Sequence, residues 1–127
     1  MRRERIESGA EWESTVGYSR AVRIGNRVLV SGTTAVDDDG HPLDGDAYDQ
    51  TRCALDIVET ALDEAGATMA DVVRTRLYVT DIDDWEAVAC AHGEVFGDVR
   101  PAATMVEVSG LIDPSLAVEL EVEAVVS

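Results

Sequence analysis

The sequence predicts an α+β fold in which a sheet carries two helices on one face. Two observations support this class. Strand-like and helix-like segments follow one another in the order hairpin, helix, strand, helix and two strands, and each helical segment has one apolar stripe of the kind that packs on a sheet. With 127 residues, the chain can bury a core without disulfides or metal. We therefore expect a single domain, residues 1–127.

The N-terminal part is predicted to contain three strands. Arg3 to Ile6 is a short candidate edge strand. The segments from Tyr18 to Ile24 and from Arg27 to Thr33 alternate β-branched and polar residues around Gly25-Asn26, a two-residue turn that favours a hairpin.

Two amphipathic helices are predicted. The first begins after Asp46, a good N-cap residue, and closes at Gly66. The second begins after Asp83 or Asp84 and ends at Gly97. The apolar stripes consist of Ala47, Ala54, Val58, Ala61, Leu62 and Ala65 in the first helix, and of Trp85, Val88, Ala89, His92 and Phe96 in the second.

The remaining strands are predicted from alternation. They run from Ala70 to Thr80, from Thr104 to Val108 and from Ala117 to Val126, and the last two are expected to form a hairpin or to lie side by side. On the middle strand, one face carries Val73, Thr75, Leu77 and Val79; on the last, one face carries Val118, Leu120, Val122, Ala124 and Val126 and the other carries Glu119, Glu121 and Glu123.

The sheet face turned away from the helices mixes charge with apolar groups. Its predicted members are Arg74, Arg76, Tyr78, Met105, Glu107 and the three glutamates of the last strand. A row of glutamates is most often a solvated surface, but both signs of charge beside Tyr and Met are unusual for one. We therefore expect an oligomer with sites between its subunits.

The composition limits the classes of function. Ten basic residues, all arginine, stand against 26 acidic ones, which gives a net charge of -16. This field repels phosphate backbones and predicts no nucleic-acid partner. The absence of lysine excludes Schiff-base chemistry, including covalent pyridoxal phosphate. Acidity without lysine is typical of halophilic proteins, although a high-GC genome also favours arginine.

No metal, cofactor or membrane site is predicted. His41 is expected at the surface and His92 as a hydrogen-bonded core residue, while Cys53 and Cys90 stand alone and are expected to be reduced. The N-terminus lacks an apolar signal region, and no apolar run approaches about 18 residues. We therefore expect a cytoplasmic protein.

Several motifs together resemble the RidA/YjgF family of reactive-intermediate deaminases. They are VGYSRAVRIGNRVLVSGTTAVDDDG, VETALDEAGATMADVVRTRLYVTDIDDW and RPAATMVEVSGLIDPSLAVELEVEAV, and the resemblance covers Gly17 to Val126. It implies a chorismate-mutase-like sandwich with a mixed sheet whose second face is buried in a homotrimer. It also implies three clefts between subunits, in which small imines or enamines are hydrolysed to a keto acid and ammonia.

The resemblance assigns roles to individual residues. It places the carboxylate that activates water on Glu121, because the EVEA ending matches the family's last strand. It places Tyr18, Ser31 and Gly32 in the substrate site, with the glycine permitting close backbone approach. A packed strand tyrosine and a hydrogen-bonded serine at a strand end are equally good interpretations of the first two.

One position departs from the family. Imino-acid deaminases of the family carry an arginine that grips the substrate carboxylate where this chain has Ala103, directly before Thr104 and Met105, which we also expect in the substrate site. Arg100 either replaces that anchor from the loop, caps the second helix or pairs with Asp98. We therefore expect a substrate other than the usual imino acids.

Three functions remain open. The first is a hydrolase that acts on imines, enamines or related C=N metabolites through Glu121, with an altered substrate. The second is a trimer that binds a small metabolite without turnover. The third, RNA cleavage, is disfavoured by the charge of -16 and by the lack of a catalytic histidine pair.

Overall fold

In the computed structural model, which describes residues 2–127, a six-stranded sheet carries two helices on one face. The strands are β1 (Arg3–Ile6), β2 (Ala21–Ile24), β3 (Arg27–Thr34), β4 (Val72–Val79), β5 (Ala102–Glu107) and β6 (Val118–Val125), and the helices are α1 (Ala47–Glu64) and α2 (Trp85–Phe96). The predicted α+β class, the edge strand β1 and the β2–β3 hairpin are confirmed. No helix within residues 2–127 is long and apolar enough to cross a bilayer.

The sheet is mixed, and its strand order is β1-β2-β3-β6-β4-β5. All neighbours are antiparallel except β4 and β5, which are parallel because α2 carries the chain back across the sheet between them. The expectation that the last two strands are neighbours is wrong, since β4 lies between β5 and β6. The loop after β5 is long enough to pass one strand, and the alternation within a strand contains no information about its neighbours.

Both helices form where they were predicted. The Asp46 side chain accepts a hydrogen bond from the Asp49 amide at 2.9 Å, and Gly66 adopts a φ of 81°, as a left-handed helix cap requires. The predicted stripe of α1 is buried. In α2 the buried residues are Val88, Ala91 and Phe96, whereas Trp85, in the first turn at the end of the stripe, is 50% exposed and was wrongly assigned to the core.

The second histidine lies where the sequence predicts it. His92 is half-buried, its Nε2 lies 2.9 Å from the Thr75 hydroxyl, and its ring contacts that of Phe96. Burial lowers the pKa of His92 below its ordinary value, because the charged ring would lose hydration.

Two details of strand register differ from the prediction. A bulge between Val72 and Arg74 turns Val73 out of the core, where it is 46% exposed. The register of β5 on β4 pairs Met105 with Leu77, so Met105 packs against the core on the helix side and not on the outer face. Glu107 shares that side, and the outer face of β5 carries Ala102, Thr104 and Val106 instead.

Candidate functional site

An open cleft of about 300 Å³ lies on the sheet face that the helices leave uncovered. Gly32, Tyr78, Glu119 and Glu121 line it. They come from three adjacent strands, β3, β6 and β4. The cleft therefore sits at the centre of the sheet, where backbone pairing on both sides of β6 fixes its side chains.

The two carboxylates of the cleft follow from the alternation of β6. Leu120 and Val122 are buried, so Glu119 and Glu121 both project from the outer face. Tyr78 lies opposite Glu119 in the β4–β6 register, and its hydroxyl donates a hydrogen bond to Oε1 of Glu121. This hydrogen bond, together with burial, raises the pKa of Tyr78.

Gly32 lies within an irregularity of β3. The register of β3 on β6 shifts between Val30 and Thr33, and Glu119 reaches over the glycine at this point. A Cβ on Gly32 would lie 3.1 Å from Cδ of Glu119, and closer still to its Oε2. The close approach that only glycine permits is therefore made by a carboxylate of the chain itself. The pKa of Glu119 is raised, chiefly by burial and then by the charge of Glu121, while Arg20 opposes the shift.

Arg20, directly before β2, supports this irregularity. Its Nη2 donates to the carbonyls of Ser31 and Gly32 and to the Thr33 hydroxyl, each at 2.8 Å. Its Nε is buried without a hydrogen-bond partner among residues 2–127. Burial lowers the pKa of Arg20, although the nearby Tyr18, Glu13 and Glu119 favour its charge. Arg20 thus fixes the backbone next to the cleft.

The predicted N-terminal site residues lie beside the cleft. Ser31 precedes Gly32, and its hydroxyl donates to the Ser19 carbonyl at 2.6 Å, which matches the interpretation as a strand-end serine. Tyr18 is 38% exposed at the entrance to β2. Of the four residues assigned around this part of the sheet, the structure brings Gly32 and Glu121 together. Ser31 adjoins Gly32 in the chain, and Tyr18 lies close to Arg20 without lining the cleft.

The predicted C-terminal site residues lie on or just before β5, away from the cleft. Ala103 and Met105 face the helix side of the edge strand β5, Thr104 faces outward, and Arg100 precedes the strand. Since β4 separates β5 from β6, these residues stand roughly 10 Å from the strand of Glu121 within one chain. Arg100 has a φ of 55°, unusual for a residue other than glycine, and its amide caps α2 through the Phe96 carbonyl at 2.8 Å.

Within residues 2–127, one exposed group of side chains has metal-ligand chemistry. Ligand atoms of Asp37, Asp39 and His41 lie within 4.8 Å of one another. Asp37 Oδ1 already accepts the amides of Asp39 and His41 at 2.9 Å, so the turn itself accounts for the arrangement. We assign no metal to it.

The sequence does not identify three residues in or beside the cleft as part of the site. They are Glu119, Tyr78 and Arg20. Glu119 and Tyr78 had been placed on the outer face, but only the β4–β6 register makes them neighbours of Glu121. The sequence does indicate that Arg20 forms hydrogen bonds or ion pairs within the fold, because a charged residue near the start of a strand requires partners. The sequence contains no sign that those partners are the carbonyls before and at Gly32.

The chain matches a known protein family and several known proteins in sequence. A family model described as Endoribonuclease L-PSP matches residues 9–126. An uncharacterised protein of Streptomyces coelicolor is 42% identical over 120 residues, which cover 94% of this chain and 90% of that protein. The 3-aminoacrylate deaminase RutC of Acinetobacter baylyi is 33% identical over 104 residues, covering 81% of this chain and 82% of RutC.

Solved structures of related proteins match nearly the whole chain. Rv2704 of Mycobacterium tuberculosis, described as a member of the YjgF/YER057c/UK114 family, superposes with a TM-score of 0.90 at 54% identity and covers 98% of this chain and 100% of its own. The YjgF gene product of E. coli superposes with a TM-score of 0.81 at 27% identity, over 94% of this chain and 92% of its own.

Proposed function

Because the chain belongs to the RidA/YjgF family, we propose that it hydrolyses small reactive imines, enamines or related C=N compounds, with Glu121 activating the water. The observation that carries this proposal is the position of Glu121, half-buried in the cleft and held by the Tyr78 hydroxyl. One relative is named as a deaminase of 3-aminoacrylate, an enamine, which supports the reaction class.

The geometry suits the chemistry of C=N hydrolysis. Tyr78 occupies one oxygen of Glu121 and leaves the other free to accept a proton from water. As that proton moves to Glu121, the water oxygen bonds to the imine carbon. That proton then passes to the nitrogen and gives a carbinolamine. Its hydroxyl proton follows through Glu121 to the nitrogen as the C–N bond breaks, and a carbonyl compound and ammonia leave. No cofactor enters this balance.

We propose that the complete site forms between subunits of a homotrimer. The outer sheet face exposes apolar side chains, such as Leu29, Val106 and Val125, that a second chain would cover. Thr104, on the outer face of β5, lies too far along the sheet to act with Glu121 of its own chain. In the trimer, the outer face of β5 of one chain completes the cleft of its neighbour.

Ammonia release tests the reaction. Imines generated in place by an amino-acid oxidase or an amine oxidase serve as substrates, so that imines with and without a carboxylate are compared. We expect Glu121→Gln to lower the accelerated rate by about 10²-fold or more. Glu123→Gln is the matched control, because Glu123 shares the strand face but binds Arg27 and Arg76 outside the cleft.

Two results would argue against the proposal. Full activity of Glu121→Gln would remove Glu121 from the mechanism. A wild type that is inert on every imine, but whose melting temperature rises with small C=N compounds, would support a binding trimer without turnover.

A further inference from the structure

The carboxylate of Glu119 occupies the space directly above Gly32. A Cβ on Gly32 would meet this carboxylate, with Cδ of Glu119 at 3.1 Å and Cγ at 3.6 Å. Glycine at this point leaves the backbone open, and the Glu119 carboxylate lies over that opening. Any substrate that enters beside Gly32 therefore meets Glu119 first.

The charges around the cleft favour a cation. Of the four lining residues, two are glutamates and none is basic. Arg20, beside the cleft, directs its Nη2 at three oxygen acceptors of the β3 irregularity. Arg76, which lies opposite Glu121 in the β4–β6 register, binds Glu123 at 3.2 Å. Ala103 provides no charge on β5, and the net charge of -16 attracts cations and repels anions over the whole surface.

From this arrangement we infer that the cleft selects cationic C=N substrates without a carboxylate, iminium or amidinium groups, and that Glu119 determines this selectivity. The inference rests on the proposed function of the cleft. An N–H of the cation donates to Glu119, while water activated by Glu121 adds to the carbon. A carboxylate substrate would instead lie against two glutamates without a bidentate partner, which disfavours it.

The chemistry balances for both groups. The oxygen of water bonds to the carbon as its proton passes to Glu121, and that proton is then delivered to nitrogen. As the C–N bond breaks, the remaining hydroxyl proton passes to Glu121 and from there to solvent or the leaving nitrogen. The products are a carbonyl compound from an iminium, or an amide from an amidinium, together with ammonia or an amine. No oxidant or reductant is required.

Binding of two isosteric probes tests the selectivity without turnover. Propionamidinium and propionate have the same size and planar head group but opposite charge. Calorimetric titration at one fixed ionic strength compares wild type, Glu119→Gln and the control Glu123→Gln, which removes the same charge outside the cleft. We expect propionamidinium to bind at least about tenfold more tightly than propionate, and Glu119→Gln to weaken it about tenfold. Glu123→Gln should change its affinity by less than about twofold.

The inference fails if propionate binds as tightly as propionamidinium, if neither probe binds, or if the two glutamine variants weaken binding equally, which would be an effect of net charge alone. Its failure is distinct from failure of the hydrolase. Amidinium binding through Glu119 with no turnover of any imine would retain the selectivity and reject the hydrolase. Hydrolysis of an imino acid through Glu121, unaffected by Glu119→Gln, would retain the hydrolase and reject the selectivity.

Discussion

The hydroxyl group of Tyr78 on β4 donates a hydrogen bond to Oε1 of Glu121 on β6, across the line where the two strands pair. This contact orients the carboxylate assigned to water activation. We expect Tyr78→Phe to lower kcat for imine hydrolysis by roughly tenfold with little change in KM, because the carboxylate remains but is no longer held in one rotamer. Steady-state ammonia release measures both constants, and an unchanged kcat would remove Tyr78 from a positioning role.

Glu119→Gln should stabilise the protein at neutral pH. The pKa of Glu119 is raised above its ordinary value of 4.5 by burial and by Glu121, so the ionised carboxylate disfavours the folded state. This penalty is absent below about pH 4.5, where both states are protonated, and grows as the pH rises through the folded pKa. We expect the melting temperature of the variant to exceed that of wild type by about 1–3 °C at neutral pH, with no gain in acid.

Glu123→Gln again provides the comparison. Glu123 lies 3.2 Å from Arg76 and 3.4 Å from Arg27, so its removal should leave stability unchanged or lower it by up to about 1 kcal/mol. A rise in melting temperature for both variants would attribute the effect to the overall negative charge.

His92 should make stability fall as the pH drops. Its folded pKa lies below 6.5 because the ring is half-buried, whereas the unfolded chain takes up the proton at about 6.5. The unfolded state therefore binds more protons between these two values, and the free energy of unfolding decreases from pH 6.5 downward. Urea unfolding near pH 8 and near pH 5 should show a larger decrease for wild type than for His92→Gln.

The same variant reports on the Thr75 hydrogen bond. At about pH 8, where His92 is neutral in both states, its replacement should cost about 1 kcal/mol. If wild type and variant lose stability equally between the two pH values, the acid sensitivity arises from other groups.

Gly32→Ala should affect binding more than stability. Gly32 has no left-handed backbone, and the added methyl group meets the far end of the Glu119 side chain, which can rotate away. We expect a loss of stability below about 1.5 kcal/mol together with a loss of propionamidinium affinity similar to that of Glu119→Gln. The double variant Gly32→Ala with Glu119→Gln should be no weaker than either single one. Additive losses would show that the methyl group acts independently of Glu119.

The sequence alone predicted Glu121 as a site residue, and the structure places it in the cleft. The prediction rests on the alternation along β6, which separates Leu120 and Val122 from the glutamates, and on the EVEA ending, which resembles the family. It also predicted the hairpin at Gly25, since a two-residue turn between alternating segments has few other solutions. Both inferences depend on local patterns, which a sequence displays directly.

The other features of the fold and of the site depend on contacts between segments that are distant in sequence. The face of Met105 depends on its register with Leu77, and the exposure of Val73 depends on a bulge; no residue type announces either. The role inferred for Glu119 depends on Gly32, which is 87 residues away in the chain and adjacent only because β3 pairs with β6. Such relationships are set by tertiary pairing and not by propensity.

The two edge strands of the sheet differ in how readily they can pair with a strand of another chain. β1 ends the sheet on one side with Arg3, Glu4 and Arg5, charges that deter an incoming strand. β5 ends it on the other side with AATMV, five residues without a charge whose outer backbone groups pair with no strand of residues 2–127. Of the two edge strands, β5 is therefore the one open to a further strand, and self-association through β5 is the form of aggregation to expect at high protein concentration.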